Sequence, residues 1–167
     1  MANIVLCNGR GQLGSALKNL DLWCDRTVYV YHTWNFLNKE QEVQQECYNT
    51  FVKFVNEHKS DEIVFISTYS EQDSSYTYYK QLAEAYLLLH VTLSKIIKLP
   101  IIIGTGICIE LKTGIKIPHG SLELISPADA AKKIVLIARN FCNKNRVFRI
   151  TGEIVSAKLA TYLLTFK

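Results

Sequence analysis

A tyrosine and a lysine spaced for acid–base chemistry lie in the segment SSYTYYKQLAE, residues 74–84. Only Tyr76 stands four residues before Lys80, a spacing that places both side chains on one helix face, one turn apart. A phenol has a pKa of about 10, and a nearby ammonium lowers that pKa by stabilising the phenolate. We therefore expect Tyr76 to act as a general acid or base. The alternative is an aromatic-rich helix start in which this spacing arises by chance.

A hydroxyl group is expected beside this pair. The segment DEIVFIST, residues 61–68, contains an apolar run that predicts a buried strand. Ser67 and Thr68 stand at the C-terminal end of that strand, which is the edge where parallel sheets bind ligands. Either hydroxyl could therefore hydrogen-bond a substrate oxygen next to Tyr76.

A glycine motif near the N-terminus predicts a nucleotide site. The segment NGRGQLG, residues 8–14, carries G-x-G-x-x-G between a predicted strand at residues 2–7 and a predicted helix. Gly9 would allow a tight turn, Gly11 would let the backbone approach a pyrophosphate, and Gly14 would let the helix pack close to the sheet. A glycine-rich turn that binds no ligand is the alternative.

The end of the second predicted strand, residues 27–31, bears on the choice of cofactor. An Asp or Glu commonly binds the NAD ribose there, but here the chain continues as YHTWN, without an acid. Because Arg10, His32 and Thr33 are expected nearby, a 2′-phosphate would find a cation, and we expect NADP(H) in preference to NAD(H). Arg10 could equally be a solvated surface charge.

The remaining patterns alternate between helix and strand. Helices are predicted over residues 38–59, 75–98, 126–141 and 156–166, and further strands within residues 99–109 and at 146–150. Ser126 fits the N-cap of its helix, Pro127 the first helical position and Asp129 the third. This alternation predicts one α/β domain spanning residues 1–167, a compact Rossmann-like, doubly wound parallel sheet. The order of the strands is not predicted.

Composition excludes several classes of protein. A net charge of +4 over 167 residues is too weakly basic for a chain that coats nucleic acid, and a basic stretch at residues 132–149 is interpreted as a solvated face. Five widely spaced cysteines and four scattered histidines predict neither a disulfide framework nor a metal site. No apolar run approaches the ~20 residues that span a bilayer, so we expect a cytoplasmic protein without membrane contact.

These motifs together resemble the short-chain dehydrogenase/reductase superfamily, in its extended branch that modifies nucleotide-linked sugars. NGRGQLGSAL is similar to the glycine motif of dTDP-4-dehydrorhamnose reductases, with Asn8 where the first of three glycines usually stands. FIST followed by YTYYKQLAE resembles the family's Ser/Thr and its Y-x-x-x-K-x-x-x-E pattern, and ISPADAAKKIV resembles a later segment. The chain is shorter than extended members, so the substrate lobe is expected to be largely missing.

The resemblance implies an NAD(P)-dependent reductase or epimerase acting on a nucleotide-linked sugar or similar carbonyl compound. It implies that Thr68, in preference to Ser67, orients the substrate oxygen, and that Tyr76 transfers the proton. Lys80 would also hold the nicotinamide ribose. The expected cofactor-binding residues are Gly9, Arg10, Gly11, Gln12, Leu13, Gly14 and Lys80. A homodimer built from the helices at residues 38–59 and 75–98 is implied too. The competing hypothesis is a non-catalytic dinucleotide-binding or regulatory protein that keeps the fold.

Overall fold

A computed structural model describes residues 3–7, 9, 11–69, 73–104, 108, 112–114, 119–141 and 146–165. Within them the strands are β1 Ile4–Cys7, β2 Val28–Tyr31, β3 Glu62–Thr68, β4 Ser94–Leu99, β5 Ile101–Ile102, β6 Ser121–Ile125, β7 Arg146–Arg149 and β8 Glu153–Ser156. The helices named here are α1 Gln12–Lys18, α2 Gln41–Glu57, α3 Ser75–His90, α4 Pro127–Arg139 and α5 Ala157–Thr165.

The main sheet has five strands in the order β1-β2-β3-β4-β7, and every neighbouring pair is parallel. A smaller sheet has the order β5-β6-β8, in which β6 and β8 are antiparallel. The predicted α/β, Rossmann-like class is therefore confirmed. The structure adds the strand order, which places β1 at an edge of the main sheet.

Two apolar layers cover the faces of the main sheet. Successive strand residues point to opposite faces, and both faces are buried, which is why β3 is an apolar run without alternation. One layer joins α1 and α4 to the sheet through Leu17, Val28, Val30, Val64, Ile66 and Ile134. The other joins α2 and α3 to it through Tyr31, Phe51, Val55, Ile63, Phe65 and Leu87.

The start of α4 is fixed by the predicted cap. The Ser126 side chain accepts a hydrogen bond from the Asp129 backbone N–H at 3.0 Å, and the Ser126 hydroxyl donates to the Asp129 carboxylate at 2.6 Å. Pro127 is the first helical residue. A cap of this kind satisfies backbone donors that the first helical turn leaves unpaired.

Buried charges tie the starts of β3 and β4 to the end of α4. Glu62 accepts hydrogen bonds from the ammonium of Lys95, which is fully buried, and from Arg26 Nε at 2.6 Å. Lys95 also donates to the backbone carbonyl oxygens of Ala138 and Asn140. Glu62 is therefore the counter-ion of two cations, and this cluster lies at the opposite end of the sheet from the predicted site.

The predicted helix over residues 75–98 is wrong in its last third, residues 91–98. The helix α3 ends at His90, and residues 94–99 form β4 between β3 and β7. Ile96 and Ile97 are fully buried in opposite layers, and Glu62 neutralises Lys95, so tertiary packing overrides a helix-compatible pattern. The strand expected within residues 99–109 is, in the described part, only Ile101–Ile102. The mostly exposed strand β8 was not predicted.

Candidate active site

The predicted site residues that the structure describes lie at or near the C-terminal edge of the main sheet. Because β1, β2 and β3 are parallel neighbours, their C-terminal ends lie side by side. That edge carries the glycine segment after β1, His32 and Thr33 after β2, and Ser67 and Thr68 at the end of β3. The helix α3 begins shortly after β3 and brings Tyr76 and Lys80 to the side of the sheet that α2 also covers.

The glycine segment has the close packing that its glycines allow. A Cβ on Gly9 would lie 1.6 Å from His32 Cε1, and one on Gly14 would lie 2.7 Å from the Gly9 carbonyl oxygen. A Cβ on Gly11 would meet no atom within 4 Å. The segment is therefore closely packed at Gly9 and Gly14 and open at Gly11. The open space at Gly11 fits the approach of a phosphate group to the backbone. Arg10 lies outside the described residues.

Gln12 and Leu13, also predicted to bind cofactor, begin α1. The Gln12 side-chain amide lies 3.5 Å from the Gly104 carbonyl oxygen as a weak donor, which links α1 to the residues after β5. Leu13 is half-buried and packs against the core under α1. The side chain of Leu13 is thus part of the fold, and only its backbone could face a ligand.

His32 does not provide a cation at the end of β2. Its ring packs against Gly9, and its Nε2 atom is buried without a hydrogen-bond partner among the described residues. Burial, with a smaller effect of nearby Lys18, lowers the pKa of His32, which keeps the ring neutral at pH 7. Thr33 Oγ1 donates to the Cys7 carbonyl oxygen at 2.5 Å. These contacts give a 2′-phosphate no charge partner at His32.

Lys80 is anchored to β3. Its side chain is buried, with 5% of the residue exposed, and Nζ donates to the Ile66 carbonyl oxygen at 2.7 Å. Nζ also lies 4.5 Å from the ring centres of both Trp34 and Phe65, an arrangement that favours a cation. Burial nevertheless lowers the pKa of Lys80 to about 7, and the Glu84 carboxylate partly opposes that shift. Lys80 can therefore change charge near neutral pH.

Tyr76 lies on α3 one turn before Lys80, as the spacing predicts. Burial raises the pKa of Tyr76 to about 12, which is opposite to the direction expected from a neighbouring ammonium. The reason is that Lys80 Nζ contacts Ile66, Trp34 and Phe65, and no hydrogen bond joins it to Tyr76 in the described structure. A tyrosine in this state is a protonated phenol at neutral pH, and so a proton donor.

The two other tyrosines of the segment have different surroundings. Tyr78 is 57% exposed, whereas Tyr79 is buried and packs against the rings of Tyr48 and Tyr78 at centroid distances of 6.0 and 5.2 Å. Both line an open groove of about 570 Å³ at the starts of α2 and α3, together with Gln41, Asp73, Ser74 and Ser75. Neither Tyr76 nor Lys80 lines this groove.

The hydroxyls at the end of β3 face different neighbours. Ser67 is buried and donates to Glu84 Oε1 at 2.5 Å, and Lys98 Nζ lies 2.9 Å from Glu84 Oε2. Ser67 is therefore engaged with α3, whereas Thr68 is the half-buried last residue of β3. Sequence reasoning matched Glu84 to a motif but gave it no partner. It overlooked Trp34 altogether, although the segment YHTWN was already of interest.

Among the described residues, no group of three or more His, Cys, Asp and Glu side chains is placed to hold a metal ion. No helix in that part of the chain is both long and apolar enough to cross a membrane.

No protein-family model matches the chain, and no curated protein matches its sequence. Solved structures do match its fold. WbmH from Bordetella bronchiseptica, in complex with NAD+, superimposes with a TM-score of 0.69 at 12% identity, covering 97% of this chain and 79% of its own. UDP-N-acetylglucosamine 4-epimerase from Bacillus cereus has a TM-score of 0.58 at 15% identity, covering 97% and 71%.

A third match is DesIV, the dTDP-glucose 4,6-dehydratase from Streptomyces venezuelae, with NAD bound. Its TM-score is 0.63 at 12% identity, over 91% of this chain. The chain spans only 59% of the length of that dehydratase. Identities this low establish architecture and not activity. The chain thus shares a Rossmann-like fold with these dehydratase and epimerase structures and spans part of their length.

Proposed function

We propose that this chain is an NAD(P)-dependent oxidoreductase or epimerase of the short-chain dehydrogenase/reductase type, acting on a nucleotide-linked sugar or similar carbonyl compound. The observation that carries the proposal is the placement of Tyr76 and Lys80 one turn apart on α3, beside the end of β3 that bears Thr68. The glycine segment lies at the same sheet edge. Solved structures with this fold contain NAD, which supports a nicotinamide cofactor.

The glycine segment fits the phosphate groups of a nicotinamide cofactor. The open space at Gly11 would receive a phosphate against the backbone, above the close contacts at Gly9 and Gly14. Lys80 would hold the nicotinamide ribose. The bound nicotinamide would supply or accept a hydride. An NADP(H) preference stays a prediction that depends on Arg10, since His32 is neutral and packed against Gly9.

In the reducing direction, Thr68, Tyr76 and Lys80 would each have a separate role. Thr68 would orient the substrate carbonyl oxygen, and Tyr76 would donate its proton to that oxygen. The raised pKa of Tyr76, about 12, ensures that the proton is present at pH 7. The phenolate that forms needs a counter-charge, and protonated Lys80, one turn along α3, is the group placed to supply it. Burial of Lys80 strengthens that electrostatic effect.

The proposed function is accompanied by proposals on the oligomeric state and cellular compartment of the chain. We propose a homodimer through α2 and α3, which pack side by side on one face and leave Leu89 80% exposed. Cys7, Cys24 and Cys47 are free thiols, which suits the reducing cytoplasm that we propose for this protein.

A non-catalytic nucleotide-binding or regulatory protein is the second candidate. One observation favours it: the pKa of Tyr76 is raised and not lowered, so the described conformation lacks an activated phenolate. A protein of this second kind would bind the cofactor but turn over no substrate. Cofactor binding and catalysis must therefore be measured separately.

Titration of NADH and NADPH into the purified chain tests the proposal first. We expect binding of at least one of the two, and loss of about tenfold or more in affinity for Gly11→Val, because the valine side chain fills the open space above the backbone. Ala85→Val adds similar bulk at an exposed position on α3 and should bind as the wild type does. Failure of both cofactors to bind the wild type would remove the enzyme proposal.

A further inference from the structure

The glycine-bearing strand β1 lies at the edge of the main sheet and pairs, among the described strands, with β2 alone. In a doubly wound dinucleotide-binding sheet that strand lies at the centre, and a mononucleotide-binding half stands on each side of it. Here β2, β3, β4 and β7 follow on one side only. The described sheet therefore contains one of the two halves.

The chain itself occupies the outer edge at the start of β1. The Ile4 backbone N–H donates to the Leu22 carbonyl oxygen at 2.9 Å, and Asn3 forms an antiparallel bridge with Trp23. Arg139 of α4 donates to the Trp23 carbonyl oxygen at 3.1 Å and to that of Asp21 at 2.8 Å. Residues 19–27 thus run from α1 directly to β2. They are too few for the strands and crossover helix of a second half.

The path of the chain is consistent with the loss of that half. The helices α2 and α3 lie on one face of the sheet and α1 on the other, although β1 to β4 advance in one direction. The crossover through α1 therefore has the opposite hand to those through α2 and α3, whereas about 98% of such crossovers are right-handed. A right-handed excursion to the other side of β1 would place α1 on the face it occupies.

The candidate catalytic side chains all belong to the half of the sheet that the structure describes, on the β2 side of β1. Thr68 ends β3, and Tyr76 and Lys80 lie on α3. In a complete sheet the strand end that holds the second ribose lies on the other side of β1, and no described strand occupies that side. The described structure therefore places candidate partners beside a nicotinamide unit and no strand end beside an adenosine unit.

We propose that the site binds one nicotinamide mononucleotide unit and that the adenosine half of NAD(P) adds little to affinity. This inference rests on the proposed function and narrows its cofactor requirement. NADH would bind through its nicotinamide half, with the adenosine end extending past the edge strand β1. The cofactor phosphate next to the nicotinamide ribose is then the one that meets the open space at Gly11.

Calorimetric titration of the full chain with reduced nicotinamide mononucleotide, NADH and ADP tests the inference. We expect the mononucleotide and NADH to have dissociation constants within about threefold of each other, and ADP to displace neither. Gly11→Val should weaken both nicotinamide compounds by the same factor, because both place a phosphate there. Ala85→Val should change neither affinity.

The outcomes separate this inference from the proposed function. An affinity for NADH more than about 30-fold above that for the mononucleotide, or competition by ADP, would overturn the inference and leave the proposed function standing. Absence of binding by both nicotinamide compounds would overturn the two together. Equal binding of the two compounds, without competition by ADP, supports both.

Discussion

The Lys80 ammonium donates a 2.7 Å hydrogen bond to the backbone carbonyl oxygen of Ile66, which pins α3 to β3 one residue before the Ser67–Thr68 strand end. Two aromatic rings flank the same ammonium at 4.5 Å. The lysine is thereby held in one place at the candidate site, at the cost of its hydration. Its position and its lowered pKa have a common cause, which is burial between the helix and the sheet.

Replacement of Lys80 by methionine should change how stability depends on pH. Lys80 has a pKa of about 7 in the folded chain against a reference value of 10.5. Between those values the unfolded chain binds the proton and the folded chain does not, so the free energy of unfolding rises with pH. For Lys80 alone the rise from pH 7 to pH 9 is about 2 kcal/mol. Lys80→Met should lack it in urea denaturation at the two pH values.

The interval ends at pH 9 because burial raises the pKa of Cys7 from 9.0 to about 12, which makes stability fall at higher pH. Lys53→Met, at an exposed position on α2, is the matched control and should keep the rise of the wild type. Equal pH dependence in wild type and Lys80→Met would contradict a lowered pKa for Lys80.

Gly9→Ala should destabilise the fold through His32. The added Cβ would lie 1.6 Å from His32 Cε1, so the ring or the backbone must move, and overpacking of this kind costs about 1–3 kcal/mol. His32→Ala in the same chain should recover part of that cost, because the ring is the obstacle. A double-mutant cycle from chemical denaturation measures the coupling.

Gly11→Ser serves as the control for that cycle. Gly11 has φ −80° and no neighbour within 4 Å of an added Cβ, and serine is a favourable N-cap for α1. Its stability should stay within about 0.5 kcal/mol of wild type or exceed it. Additive effects of Gly9→Ala and His32→Ala would show that the two residues do not pack together.

Local patterns predicted the secondary structure around the candidate site better than its tertiary contacts. The spacing of Tyr76 and Lys80 placed them correctly on one helix, and the capping residues Ser126 and Asp129 marked the start of α4. The hydrogen-bond acceptor of Lys80, the Ile66 carbonyl oxygen, lies on a different element. Residue spacing along one helix therefore cannot predict this contact. For the same reason the ring of His32 over Gly9 and the edge position of β1 could not be predicted.

The segment at residues 94–99 shows a different limit. The sequence SKIIKL contains two lysines and is compatible with a helix. In the structure it is a strand between β3 and β7, where Lys95 pairs with Glu62, more than 30 residues away. The non-local packing of Ile96 and Ile97 and the charge pair of Lys95 together stabilise the strand, and local propensity reports neither of them.

Glu62→Gln should therefore be severely destabilising. The substitution leaves the ammonium of Lys95, which is fully buried, and the half-buried Arg26 guanidinium without their shared carboxylate. Removal of one member of a buried ion pair costs about 3–5 kcal/mol, because an uncompensated charge remains. The free energy of unfolding from urea denaturation at pH 7 measures the loss.

Glu57→Gln removes an exposed carboxylate at the end of α2 and should change stability by less than about 0.5 kcal/mol. If Glu62→Gln does not fold, Glu62→Met combined with Lys95→Met removes both charges and should be more stable than either single variant. A Glu62→Gln protein as stable as Glu57→Gln would refute the role assigned to the cluster.

The central claim, that Tyr76 is the proton donor, is tested most directly by turnover of a 4-keto sugar nucleotide with NADH or NADPH. Tyr76→Phe should lose turnover by about 100-fold or more and keep its cofactor affinity, since general acid catalysis contributes on that scale. Tyr78→Phe, two residues along the same helix and 57% exposed, should retain wild-type turnover. Equal turnover by wild type and Tyr76→Phe, or no turnover by the wild type, would contradict the account.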